Sequence, residues 1–415
     1  MKSFVHLSIL GFLMLVAGVS AVKADALQDS HLSLGLRNFY VERDFKQDDA
    51  PISRVGSWTQ GFDLQFKSGY TDGPIQFGLD AGGQFAYRLD GGGGRGPDTI
   101  IPYDSHKGEP VHDYGRAGLT GKMRWSHTEV RIGEQRPTLP VVSMDDSRQL
   151  VTTYQGATIE SREWSKLTLN AGRFWEISPR DSSNRENIYL FGDSPAQHSD
   201  GLNFVGARYD FTPALNATYY VGQLEDIYQQ QYVALSYTLN LGDDYSLKND
   251  VRYFNNREEG KQLSGDIDNR SLGFMSALKK GGNTYTLAYQ RMFGEDAFPL
   301  LNGYVPQPYL VNWSNLGFYK ADERSWQARY DYDFAALGVP GLKFMSRYIR
   351  GTDINRGANL TDNVESETGI VLSYVVQSGP LQGLGIEGRN IKVKARYGAD
   401  FDENRLVTTY TWKVW

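Results

Sequence analysis

Basic side chains at every second position are the chemistry this chain offers. Arg116, Lys122 and Arg124 share one parity across 113–126, and Glu129 and Arg131 share one across 127–135. Two irregular stretches carry further clusters, Asp145-Asp146-Ser147-Arg148 and Ser178-Pro179-Arg180-Asp181-Ser182-Ser183-Asn184-Arg185. A guanidinium presents a planar fork of donors that matches a carboxylate bidentately, and hydroxyls can replace the water an anion gives up. That is recognition chemistry rather than bond-making. A hydrolase would need a nucleophile with a positioned base. His31, His106, His112, His127 and His198 stand singly, and no Gly-x-Ser-x-Gly occurs. With no Cys and scattered His, no metal-ligand spacing appears, so neither metal nor cofactor is expected. The Gly91–Gly96 run follows a strand and lacks the Lys-Ser/Thr of a phosphate loop, so it reads as a loop tip.

The elements that must position these residues are strands. Over 326–334, Trp326, Ala328, Tyr330, Tyr332 and Phe334 alternate with Gln327, Arg329, Asp331 and Asp333. Successive strand side chains point to opposite faces, so one face is apolar and the other charged. Eighteen such runs are legible, near 32–41, 57–69, 75–89, 113–126, 127–135, 152–163, 166–175, 201–211, 215–226, 230–241, 245–256, 268–279, 283–293, 324–335, 342–352, 365–377, 384–398 and 404–415. Short turns (Ser126-His127, Lys280–Gly282, Gly379–Gly383) separate long excursions at 90–112, 136–151, 176–200, 295–323 and 352–364. An even strand count, with short turns at one end and long loops at the other, predicts an all-β fold, an 18-stranded antiparallel transmembrane β-barrel. Trp58, Trp125, Trp164, Trp326 and Trp412 suit an interfacial aromatic girdle.

The N-terminus sets the compartment. Met1-Lys2, an apolar run over Leu7–Val19 and Val22-Lys23-Ala24 have the form of a secretory signal, too short to span a bilayer. Residues 1–24 are therefore expected to be cleaved, leaving 25–415 as one barrel domain with 41 basic and 49 acidic side chains. An acidic balance argues against a nucleic-acid partner.

If the apolar parity meets lipid, the other parity lines a wet lumen. That turns Arg116, Lys122, Arg124, Glu129 and Arg131 inward, with Arg37 opposed to Leu34 and Leu36, and Arg329 opposed to Trp326. Strand 342–352 contributes either Lys343 and Arg347 or Arg350. Strand 384–398 contributes Lys392, Lys394 and Arg396 if Ile391, Val393 and Tyr397 face lipid, and Arg389 then needs a bulge or a strand end. A basic stripe inside an acidic protein suggests an electrostatic track for anions. Two excursions are expected to fold inward and narrow the pore: 136–149, which carries Leu139, Val141, Val142 and Met144, and 177–194 with its Arg-Asp-Ser-Ser run.

Several segments resemble the OprD family of Gram-negative outer-membrane porins. They are Gly121-Lys122-Met123-Arg124-Trp125, Thr128-Glu129-Val130-Arg131-Ile132-Gly133-Glu134, Pro137-Thr138-Leu139-Pro140-Val141 and Asp146-Ser147-Arg148. So do Leu224-Glu225-Asp226-Ile227-Tyr228, Ser325-Trp326-Gln327-Ala328-Arg329-Tyr330-Asp331, Gly338-Val339-Pro340-Gly341-Leu342 and Tyr374-Val375-Val376-Gln377-Ser378-Gly379-Pro380. The resemblance implies an 18-stranded barrel, monomeric or a weak homotrimer, in the cell outer membrane among its lipid and lipopolysaccharide. It implies passive diffusion of small carboxylate solutes, amino acids or aromatic and other monocarboxylic acids, along a ladder of basic residues. By position it places Arg124, Arg131 and Arg389 on that ladder, Asp146 and Arg148 on the inward third loop, and Arg180, Ser182 and Ser183 on the next. The Arg-Asp-Ser-Ser-Asn run resembles the branch that prefers monocarboxylates and cyclic acids. The rival readings are a non-selective general porin and, further off, an outer-membrane hydrolase.

Overall fold

Alternation over eight to fifteen residues can satisfy every backbone N–H and C=O only if each strand finds two neighbours, and the chain does this by closing on itself. The computed structural model describes residues 28–415 except 49, 92–94, 98–99, 358–359, 361–362 and 399. The expected signal sequence over 1–24 lies outside the described residues. The wall consists of β1 (His31–Phe45), β2 (Arg54–Lys67), β3 (Gln76–Asp90), β4 (Asp113–Trp125), β5 (Thr128–Gln135) and β6 (Thr153–Trp164). It continues through β7 (Leu167–Ser178), β8 (Leu202–Thr212), β9 (Leu215–Leu224), β10 (Tyr228–Gly242), β11 (Tyr245–Glu258) and β12 (Asp268–Lys280). The last six are β13 (Asn283–Phe293), β14 (Arg324–Asp333), β15 (Leu342–Thr352), β16 (Glu365–Val375), β17 (Gly385–Ala395) and β18 (Phe401–Lys413).

Each strand pairs antiparallel with the next, and β1 pairs with both β2 and β18, so no edge is left open. Leu34, for example, stands opposite Leu64 on one side and Trp412 on the other. Beyond β18 the chain still bonds across the seam: Val414 N donates to Leu32 O (2.8 Å) and Trp415 Nε1 to Ser30 Oγ (3.1 Å). Hydrocarbon offers no water to an unpaired amide, and closure is the remedy. Among the described residues no helix is long and apolar enough to cross a membrane; the crossing is made by strands.

The eighteen strands fall where alternation predicts them, with ends moved by a few residues. The strand expected over 324–335 loses its last two residues: Phe334 and Ala335 belong to a 3₁₀ turn, Phe334–Leu337, capped by Asp333 and closed by Gly338 at φ 80°. At the same end of the barrel, β10 and β11 are joined by Asp243-Asp244, both at positive φ (46° and 65°), as a two-residue hairpin of primed type requires.

The outer face is apolar. Trp326, Leu287 and Ile132 are 44, 66 and 57% exposed, whereas Ser325 and Gln327 on the other face of β14 are buried. Tyr330 packs outside against Tyr285, the rings tilted with centroids 5.2 Å apart, and Arg329 turns into the lumen. On β15, Lys343 and Arg347 line the lumen and Arg350 lies on the opposite parity, which settles the alternative left open by the sequence.

The expectation for β17 is overturned. Ile391 and Val393 face inward and are buried with Phe401, against Phe45 and Leu316, while Lys392 and Lys394 project outward and are exposed. Arg389 is inward without any register shift. Arg396 lies past the strand end, and the Tyr397 ring sits beside Lys320 and Arg356 rather than lipid. The reason is local: this end of the lumen is packed with loop residues, so apolar side chains find cover inside the barrel.

Loop 294–323 also folds inward, which the sequence reading did not anticipate. Phe298, Leu300, Leu301, Val305 and Leu310 join Val141, Val142, Tyr154 and Phe174 in one buried cluster. Its last residue, Glu323, is 1% exposed beside Glu365, and Lys320 Nζ reaches Glu365 at 2.5 Å. Burial, reinforced by the Glu365 charge, raises the Glu323 pKa well above the usual carboxylate range. A carboxyl whose folded pKa exceeds its unfolded value stabilises the fold when protonated. That contribution is present below the ordinary value and is lost as pH rises through the raised one. Glu323→Gln should therefore leave the loop equally protected at pH 4 and better protected than wild type at pH 8, as read by limited proteolysis within 294–323. Equal cleavage at both pH values would refute the assignment.

Candidate functional site

Two guanidinium clamps on the barrel wall fix the inward loops by their backbone. Arg37 on β1 donates to the carbonyl of Asp146 (2.7 Å) and to that of Arg148. Arg116 on β4 donates to Pro179 O (2.6 Å), Ser182 O (3.0 Å) and Val151 O. Around them, Arg136 makes a bidentate pair with Asp63 (2.7 and 2.8 Å), and Gln149 Nε2 donates to Thr59 Oγ1 (2.7 Å). Loop 136–152 thus crosses the lumen with both flanks tied down. Glycines on the wall receive it: a Cβ on Gly61 would come within 2.5 Å of Gln149, and one on Gly222 within 2.8 Å of Val141.

The clamps deliver two arginines to one place. Arg180, whose carbonyl accepts from Tyr114 Oη (3.1 Å), is ion-paired with Asp145, and both side chains are almost fully buried. Arg148 donates to Ser147 O and Oγ, each at 3.1 Å. Burial, and then the neighbouring Arg180 and Arg405 guanidinium groups, pull the Arg148 pKa down to about 9, which leaves it charged at neutral pH.

Opposite these loops runs a basic stripe across β14–β18. Arg329 stands directly across from Arg347, and Arg389 directly across from Arg405. Like charges at opposite positions repel, and nearby carboxylates temper them: Asp331 on Arg329 (2.6 Å), Glu387 on Arg389 (2.7 Å) and Glu403 on Arg405 (2.5 Å). The stripe and the loops enclose a cavity of about 1520 Å³ lined by nine basic and five acidic side chains. Tyr304, Tyr309 and Trp313 from loop 294–323 supply an aromatic side to it.

A smaller cavity of about 390 Å³ lies on the β2–β8 side, and Thr138 of the crossing loop lines both. Its lining is mixed, with three basic residues (Lys67, Arg131, Arg136) and four acidic (Asp80, Glu129, Glu134, Glu160).

The candidate residues therefore divide. Asp146, Arg148, Arg180, Arg329 and Arg389 share the larger cavity. Arg37 grips the loop from the wall. Arg131, paired with Glu129, lines the smaller cavity. Arg124 lies over the Tyr70 ring (4.0 Å) and bonds Gln76, lining neither. Ser182 and Ser183 face β4 and the loop itself: Ser183 Oγ accepts from Gly115 N (3.2 Å), and Ser182 Oγ from Asn184 N (3.0 Å). The sequence reading missed Arg405 and Arg252, which line the larger cavity, and the whole of loop 294–323. Arg405 had a signal, since it alternates with the outward Leu406 and Thr408. The loop had one too, in Phe298, Leu300, Leu301 and Val305.

Comparison with known proteins follows the same architecture. A family model described as outer membrane porin, OprD family, matches residues 24–414. The chain is 38% identical to Porin-like protein GalP of Pseudomonas putida over 94% of each chain. Among solved structures, OccK9 (OpdG) of Pseudomonas aeruginosa superposes with a TM-score of 0.90 at 38% identity, over 94% of this chain and 100% of that one. OpdK of the same organism, solved with vanillate, gives 0.85 at 35% identity over 93% and 99%.

If the crossing loop is the constriction, lifting it should widen the channel. Gly222→Leu drives a side chain into Val141, an overpacking that costs about 1–3 kcal/mol. It should raise single-channel conductance and its noise, and Gly222→Ala should do so less. Unchanged conductance in both would place the narrowing elsewhere.

Proposed function

The chain belongs to the OprD family of outer-membrane porins, a channel rather than an enzyme, and from that premise we propose that it selects small carboxylate-bearing solutes, aromatic or cyclic monocarboxylates in particular. The observation that carries this is the pairing of two arginine rows on the wall, Arg329/Arg347 and Arg389/Arg405, with Arg148 and Arg180 on the loops across the same cavity. A narrow wet passage with low-dielectric walls focuses the field of its charges, so an excess of basic groups there can outweigh an acidic whole. Arg329 and Arg389, half-exposed along the stripe, bind an anion weakly and in succession, which conduction requires and a single tight site defeats, and the more buried arginines around them add to the field. The acid beside each arginine keeps every step shallow. Tyr304, Tyr309 and Trp313 offer faces for a ring carried by the carboxylate. That a relative was solved with vanillate, an aromatic carboxylate, supports the same class.

The mixed charges of the stripe also suit a non-selective porin, and uptake discriminates the two. In a hydrated lumen each arginine–carboxylate contact contributes about 1 kcal/mol. Arg329→Gln and Arg389→Gln should each slow liposome uptake of benzoate several-fold and leave benzamide, neutral and of equal size, unchanged. Equal slowing of both solutes, or of neither, would establish the non-selective reading. Arg180→Ala is the poorer probe, because it leaves Asp145 buried without its cation. We also propose that residues 1–24 are an export signal and 25–415 the mature barrel. N-terminal sequencing of protein from outer membranes should begin at Asp25.

A further inference from the structure

We propose that the outer surface of β11–β17, at the end of the long loops, is a docking face for the phosphorylated headgroup of lipopolysaccharide. Arg257, Arg270, Arg291, Arg324 and Arg350 occupy the lipid-facing parity of five consecutive strands, and Lys392 and Lys394 do so on β17. Their orientation is fixed by neighbours of the other parity. Met292, Ser325 and Ile349 are buried inside, as are Ile391 and Val393, while Leu272 and Phe274 on the parity of Arg270 are exposed.

Cross-strand register makes the set continuous. Arg291 stands directly opposite Arg324, and Arg350 and Lys394 flank Ser366 from either side. Immediately toward the membrane centre lie the exposed rings of Tyr289 and Trp326, which are themselves paired. The basic band therefore sits just above the aromatic girdle, at headgroup depth.

The protein neutralises this band only in part: Arg257 is paired with Asp268 (2.5 Å), Arg270 reaches that same carboxylate only at 3.8 Å, and Arg324 reaches Asp353 only at 3.9 Å. Among the described residues, Arg291, Arg350, Lys392 and Lys394 make no ion pair. Lys392 stands opposite Asp402, but that carboxylate bridges to Lys46 (3.5 Å). Directly opposed like charges destabilise a strand pair, and Arg291, which lies over the Phe293 ring (4.4 Å), meets no carboxylate among the described residues that would offset its facing Arg324. An external polyanion removes that cost. The feature is confined to one arc. On β9 and β10 the corresponding outward positions are Gln223, Gln229 and Gln231, and on β7 Arg173 is already bonded to Glu225. On β1 they are Glu42 and Asp44.

The test uses the full-length protein in detergent with deep-rough lipopolysaccharide as probe, bound species being counted by native mass spectrometry. Arg291→Gln/Arg324→Gln/Arg350→Gln and Lys392→Gln/Lys394→Gln should each weaken binding, by roughly fivefold per side chain neutralised. Arg54→Gln, outside the arc, should not. Unchanged single-channel conductance certifies the fold, and Arg291→Gln or Arg350→Gln alone reads the same effect if the triple variant is unstable. Dephosphorylated lipopolysaccharide should bind wild type no better than intact lipopolysaccharide binds the triple variant. Wild-type affinity in the triple and single variants, or indifference to dephosphorylation, would overturn the proposal. Equal affinity for phosphatidylglycerol would overturn the assignment to lipopolysaccharide.

Discussion

Every feature of this protein depends on the demand that backbone amides in hydrocarbon find partners within the chain. Closure of β1 on β18 meets that demand and creates an inside and an outside with opposite solvents. Once the wall exists, strand alternation assigns each residue to one of them. A charged side chain needs no special device to reach the lumen; it needs only the right parity. The basic stripe of Arg329, Arg347, Arg389 and Arg405 is thus a direct consequence of sheet geometry, with rungs set by register.

The wall alone would enclose a wide aqueous hole, and specificity requires something to cross it. That is done by loops whose backbone carbonyls are gripped by wall arginines, Arg37 and Arg116. Two kinds of arginine therefore share one lumen. Some are spent on carbonyls or buried carboxylates and hold structure, as Arg180 does on Asp145. Others, half-exposed beside an acid, are left to meet solute. Residue type cannot separate these roles, but partners can.

This explains what the sequence made legible. Strand positions and the outward course of Trp326 and Tyr330 follow from local alternation, which needs no tertiary knowledge. The inward folding of 136–149 was readable from Val141 and Val142, apolar residues that an exposed loop could not cover. Strand β17 defeated the same logic. Ile391 and Val393 are covered by Phe45 and Leu316, which are distant in sequence, so the apolar parity there is the inner one. The candidate site was legible as a list and not as an arrangement. Nothing local says that Arg131 and Arg389 lie on opposite sides of a crossing loop, or that Ser182 and Ser183 face β4 instead of the passage.

The seam between first and last strands has a consequence for biogenesis. Leu34 pairs with Trp412, and Ser30 with Trp415, so the closing contacts join residues separated by nearly the entire polypeptide. The wall cannot close while β18 is still being translated, because β1 then lacks one of its two neighbours. Until then the nascent chain carries unsatisfied strand edges and an apolar face that water rejects. Hairpins between sequence neighbours can form as the chain emerges, but the closed barrel, with its separate inside and outside, exists only after the final strand has met the first.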